Sequence, residues 1–275
     1  MMIRIETDRG WVLITHKDHA RLAGKFAGLW DTERFSFPEP RRSTLFGIAS
    51  HDDSWQKPDS RPTIAEDGTP SAFSKELVGA YDAFENMDLP SYLAVREMAT
   101  EACADKDPFA ARMISMHTVS LLTDHADLST LSNEQRPIHA AFIENQLKRQ
   151  QELTAASVGI PRLESFASEE HFQAAFELLQ ACDSLSLYCC VLFPEVRALQ
   201  HGHKMQAVDH PVKISFTPVG PSTFALVPFP FAGDSVDIAI PCIRIVGKTF
   251  DSSEALQIAY DQGSEDKISI RLIAA

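Results

Sequence analysis

The chain has 275 residues, 44% of them hydrophobic, enough for one substantial core or two modest ones. Its formal net charge of −13 argues against nucleic-acid phosphates and anionic membranes as general partners, while favouring cations. The start of the chain has no apolar signal core, no run approaches membrane-spanning length, and the five cysteines hold no C-x-x-C pair. The expected location is therefore the cytoplasm, with the thiols reduced.

In chain order, residues 3–6 and 11–14 read as two short strands around a turn at 8–10. Thr15, with Asp18 three residues later, has the form of a helix N-cap, and the helix it opens runs to about Trp30. Pro38 and Pro40 mark a loop. A second helix is expected from about Ser43 through His51 and Asp52. Residues 56–73, with Pro58, Pro62, Gly68 and Pro70, read as a long loop beside that pair. Helical periodicity returns over 74–87, 90–104, 108–124, 134–157 and 169–192. Beyond about 205 the period changes to two, over 213–217, 224–227, 236–240 and 267–273, with Pro211, Pro218, Pro221, Pro228, Pro230 and Pro241 between. The expected fold is one α+β unit over 1–275, mainly α. A helical bundle of 15–200 would carry a small antiparallel β element built from 1–14 and 206–275.

Polar residues on apolar helix stripes are the informative feature. Asp183 shares its stripe with Phe172, Phe176, Leu179, Leu187 and Cys190. An ionised carboxylate on such a face costs several kcal/mol (order of magnitude) unless a cation or donor meets it. Asp52 follows Leu45, Ile48 and Ala49; His19 precedes Leu22, Ala23, Phe26 and Trp30; His117 sits with Met113, Ile114 and Leu121. Four ligand-type residues thus point inward from four helices. His51 and Asp52, adjacent in a helix, point about 100° apart and approach one ion from neighbouring directions. A shell of imidazole and carboxylate suits iron, manganese, zinc or cobalt, as one ion or two. His16 lies one turn before His19 and competes with it. Asp53 is either a carboxylate orienting His51 or a solvated residue, and the same inward residues also suit a hydrogen-bonded core with no metal.

At His19, His51, Asp52 and Asp183 the chain resembles the HD-domain superfamily of metal-dependent phosphohydrolases, helical bundles with an ordered His, His-Asp, Asp set. The resemblance implies an HD-like bundle over about 12–195. His117 matches the extra histidine of two-metal members, and His139, or less well His125, supplies a further one. The chain is similar, over nearly its whole length, to an uncharacterised bacterial family of unknown function. That family carries an Asp-His-Ala start, a His-Asp-Asp-Gly-Trp core, a Ser-x-His helix and a Pro-Phe-Pro-Phe tail. Here these are Asp18-His19-Ala20, His51 to Trp55 with Ser54 in place of Gly, Ser115-Met116-His117, and Pro228 to Phe231.

The first functional reading is a metal-dependent hydrolase of a small phosphorylated molecule. Its metal ligands are His19, His51, Asp52, His117 and Asp183. Asp52 and His117 take the catalytic roles, Asp52 as a bridge between ions and His117 as general acid. The second is an HD-type di-iron oxygenase. The third is a non-enzymatic, metal-stabilised or ligand-sensing protein, consistent with the lack of a Gly-rich phosphate loop. The sequence leaves open whether the chain forms a homo-oligomer.

Overall fold

A computed structural model describes residues 2–73, 75, 78 and 88–275. The N-terminal hairpin pairs β1 (Met2–Glu6) with β2 (Gly10–Ile14), and β2 is buried along its whole length. Thr15 then caps α1 (His16–Leu29), its hydroxyl accepting the Asp18 N–H at 3.0 Å. Pro40 precedes α2 (Arg41–Ser50), which stops one residue before His51. Asp52 has left helical geometry (φ −119°, ψ 18°), and a 3₁₀ turn, Asp53–Trp55, leads into the short α3 (Gln56–Asp59). The His51–Asp52 pair therefore lies at the end of a helix rather than within one. The helix expected over 74–87 lies outside the described residues except for 75 and 78.

After β3 (Ala72–Phe73) come α4 (Leu89–Ala104) and α5 (Pro108–Ser120). Asp88 caps α4 through the Ser91 N–H, Asp107 caps α5 through the Ala110 N–H, and a proline stands in each first turn. Where periodicity carried a straight helix on to 124, α5 widens into a π-turn, Leu121–His125. Two long helices follow, α6 (Gln135–Val158) and α7 (Glu169–Cys190).

The tail holds β4 (Arg197–Ala198), β5 (His203–Lys204), β6 (Pro211–Val212), β7 (Ser215–Gly220), β8 (Thr223–Val227), β9 (Ser235–Val246), α8 (Ser253–Asp261) and β10 (Ser264–Ala274). Among the described residues, eight strands form one sheet in the order β3-β1-β2-β9-β10-β8-β7-β4. The β1–β3 and β10–β8 pairs are parallel, and the others antiparallel.

This architecture overturns the expected HD-like helical bundle with a small antiparallel β element: the chain pairs its helices with a large mixed sheet. The tail strands are longer than their alternation suggested, because Pro241 is not a break. It pairs with Lys267 on β10, beyond the Ile243–Val246 stretch that pairs with β2, so its missing N–H leaves no ladder unsatisfied there. The parallel pairs were hidden because they join segments that are remote in sequence. The helix α8, between β9 and β10, was missed altogether.

The main core joins α1 and α7 to the inner face of this sheet. Phe231, in the Pro228–Phe231 run, stacks on Phe26 at 5.7 Å between ring centres and meets Trp30 edge-on. All five cysteines are free and buried, and act as core filling. No helix among the described residues is long and apolar enough to cross a membrane.

Gly24 brings α1 and α2 into backbone contact. A Cβ there would lie 2.5 Å from the Ala49 Cβ and 2.9 Å from its Cα. Alanine is the better helix former by about 1 kcal/mol, yet overpacking costs about 1–3 kcal/mol. Gly24→Ala is therefore expected to lower the thermal midpoint, measured by calorimetry. A raised midpoint would mean that the two helices separate at no cost.

Candidate metal centre

Three helices and one helix end deliver the inward residues. His19 projects from α1, His117 from α5 and Asp183 from the middle of α7, while His51 caps α2; all are buried. Asp183 Oδ1 lies 2.9 Å from His19 Nε2 and 3.2 Å from His51 Nε2. One ligand atom from each of these residues falls within 4.8 Å of the others. Asp52 Oδ2 stands 3.7 Å from His51 Nε2 and 4.0 Å from His19 Nε2, and His117 Nε2 stands 3.9 Å from Asp183 Oδ2.

The outer ring nitrogens decide which atoms face inward. His51 Nδ1 lies 2.8 Å from the Ile48 carbonyl, an acceptor only, so Nδ1 carries the proton. His19 Nδ1 lies 2.7 Å from Ser186 Oγ, whose single proton is directed at the Asp183 carbonyl at 2.9 Å. With the serine proton on that carbonyl, His19 Nδ1 donates to Ser186 Oγ; with it on His19 Nδ1, His19 Nε2 donates to Asp183 instead. In the first arrangement a neutral His19 and a neutral His51 would both aim an Nε2 lone pair at the same carboxylate oxygen. Acceptors facing an acceptor at 2.9 and 3.2 Å are relieved by a cation between them or by a ring N–H turned inward.

A family model described as a protein of unknown function (DUF3891) matches residues 2–246. The chain belongs to that family. No curated protein and no solved structure matches it, and none of these comparisons extends to the HD-domain superfamily. The matched span of this DUF3891 chain contains the whole cluster and ends before α8 and β10.

Charge in the DUF3891 cluster is closely coupled. Burial pushes the His51 imidazole down, but Asp52, Asp183 and the Ile48 carbonyl outweigh it and bring its pKa to about 9. Burial opposes ionisation of Asp52 and Asp183 as well. Arg96 and His51 nevertheless hold Asp52 at about 2, and hydrogen bonds from His19 and His51 hold Asp183 well below the usual carboxylate range. His117 is driven by burial to about 3 against the attraction of Asp183, so it is neutral at neutral pH, which suits a ligand better than a general acid. Its Nδ1 has no hydrogen-bond partner among the described residues.

Arg96 was missed from sequence. Its Nη1 donates to Asp52 Oδ1 at 2.7 Å, and Nε donates to the Tyr92 hydroxyl. The signal was available, since Arg96 interrupts the apolar stripe of Tyr92, Ala99 and Cys103 on α4 exactly as Asp183 does on α7. The cations nearest in sequence do not take this role; Arg21 pairs instead with the half-exposed Asp53 at 2.9 Å. Asp53 thus faces Arg21, and the Ile48 carbonyl is what orients His51.

Other histidines lie elsewhere. His139 bonds the Leu122 carbonyl at 2.9 Å beside a groove on α6, and His125 sits in the π-turn. His203 is buried edge-on to Trp30. His16 is buried next to the cluster. It shares a cavity of about 70 Å³ with His19, Asp52, Arg96, His117 and Asp183, and Phe73, Val78, Leu121 and Leu187 form its apolar wall. That space suits an ion and a few waters.

Proposed function

We propose that this chain is a metal-dependent hydrolase of a small phosphorylated molecule, holding one divalent transition-metal ion on His19 Nε2, His51 Nε2 and Asp183 Oδ1. The observation that carries the reading is the pair of imidazole Nε2 atoms turned toward one carboxylate oxygen, with the Ile48 carbonyl and Ser186 on their Nδ1 sides. Such outer partners are what orient metal-bound histidines. Two nitrogens with carboxylate oxygen suit iron, manganese, zinc or cobalt. Asp52 Oδ2 completes the donor set. Because Arg96 holds Oδ1, Asp52 has one oxygen left rather than two to share between ions, which favours a single ion over the two-iron oxygenase reading. A bound ion would supply an acidified water and polarise a phosphoryl oxygen. The protein groups keep both carboxylates ionised, orient the imidazoles and shelter the cavity behind Phe73, Leu121 and Leu187.

Calorimetric titration of the metal-free chain with Zn²⁺ or Mn²⁺ tests the site. Binding at pH 7 is expected at one ion per chain, with release of about one proton, because His51 must surrender the proton it holds up to about pH 9. Affinity should rise about tenfold per pH unit between 7 and 9. In the metal-free chain, protonated His51 contributes stability that is fully present below pH 6.5 and lost as the pH rises through about 9. The Mn²⁺-loaded chain should then hydrolyse at least one member of a panel of phosphate monoesters, and a chelator should abolish that activity. No bound metal, or a loaded chain inert on the whole panel, would overturn the reading.

A further inference from the structure

His16 Nδ1 lies 2.9 Å from Asp59 Oδ1, and the His16 backbone N–H donates to Asp59 Oδ2 at 2.7 Å. A carboxylate is an acceptor only, so Nδ1 of the neutral ring carries the proton and Nε2 is bare. The ring is 2% exposed and stacks on Trp55 at 4.6 Å, which fixes its plane. His16 lines the same cavity as Asp52, Arg96 and Asp183, and its Nε2 has no hydrogen-bond partner among the described residues. A bare imidazole nitrogen, buried and without a partner among the described residues, costs free energy unless something in the cavity meets it.

We propose that His16 is the proton-transfer group of this site, and that Asp59 positions it by holding the tautomer with Nε2 bare. A buried carboxylate plays the same part toward the histidine of a Ser-His-Asp triad. The proposal rests on the hydrolase reading for its reaction. The oxygen of a water bonds to phosphorus as one of its protons passes to His16 Nε2. The bond from phosphorus to the leaving oxygen breaks, and Nε2 returns the proton to that oxygen. The products are an alcohol and inorganic phosphate, with His16 and Asp59 as they began. The positions of His16 and His19, three residues apart on α1, divide the labour: one turn of helix carries both a metal ligand and a base.

The test uses the full chain labelled with ¹⁵N-histidine, metal-free and Zn²⁺-loaded, with inorganic phosphate as the probe. His16 should show the Nδ1–H tautomer, and phosphate should move its Nε2 resonance toward the protonated position. Asp59→Asn should shift the tautomer and remove the response. His16→Gln should keep one Zn²⁺ per chain and the parent's circular dichroism spectrum, yet lower any phosphomonoester turnover by about 10²–10⁴-fold. A response to phosphate in a chain that binds no Zn²⁺ would keep His16 as the group meeting the cavity's occupant while removing the hydrolase reading. If Zn²⁺ binds but phosphate leaves His16 Nε2 unmoved, the proposal is overturned and the ring is packing for Trp55. A His16→Gln chain with full turnover would overturn it equally.

Discussion

Asp183→Asn is expected to strip the metal while leaving the chain folded. The carboxamide has the volume of the carboxylate, so the packing of α7 against α1 is unchanged. What changes is the atom between the two imidazoles. A carboxamide N–H satisfies an Nε2 lone pair directly, and the acceptor conflict at 2.9 and 3.2 Å is relieved without an ion. The metal-free variant should therefore be at least as stable above pH 9 as the metal-free parent, which loses the His51 contribution there. Its metal affinity should fall by more than about 100-fold, since loss of a mere outer partner already costs 10–100-fold. Elemental analysis of the two proteins, purified in parallel without added metal, reads the difference. Equal metal content in both would place the ion elsewhere and end the site assignment.

Arg96→Met should give the largest loss of stability among single changes at the site. Arg96 and Asp52 are both almost wholly buried and meet at 2.7 Å. Burial alone would push the Asp52 carboxyl up; the guanidinium is the main reason it ionises at about 2. Breaking such a pair from one side strands the remaining charge, at a cost of about 3–5 kcal/mol. In a chain of this size that lowers the thermal midpoint by roughly 10 °C. The Arg96→Met/Asp52→Asn double variant removes both charges and should recover much of the loss, so the two costs are strongly non-additive. A bound divalent ion near Asp52 Oδ2 should also reduce the penalty, making the single variant more metal-dependent for folding than the parent. Additive costs in the double-variant cycle would show that Arg96 acts through packing on Tyr92 and Trp55 instead.

Periodicity alone found the inward residues. Asp183, His19 and His117 were visible because an ionisable group on an otherwise apolar stripe is costly to bury without a partner, and helical spacing shows which positions turn inward. The same logic applied to α4 would have found Arg96. No local signal existed for Asp59, which sits in a proline-bearing turn without periodicity and reaches His16 across 43 positions. His51–Asp52 was legible as a dipeptide, but its place at a helix end depends on the turn that follows.

Local side-chain pattern was enough for the helix start at Thr15, the tail's change from period 3.6 to period two, and the residues able to bind an ion. Those are local properties, set by side-chain chemistry within a few residues. Long-range packing is what joins the strands into one mixed sheet of eight among the described residues, with β10 lying between β9 and β8. The same packing brings Arg96 to Asp52 across 44 positions and sets Ser186 and the Ile48 carbonyl against the Nδ1 atoms of His19 and His51. Strand order and donor direction depend on which distant surfaces pack together, and local periodicity records only that a surface is buried, never against what.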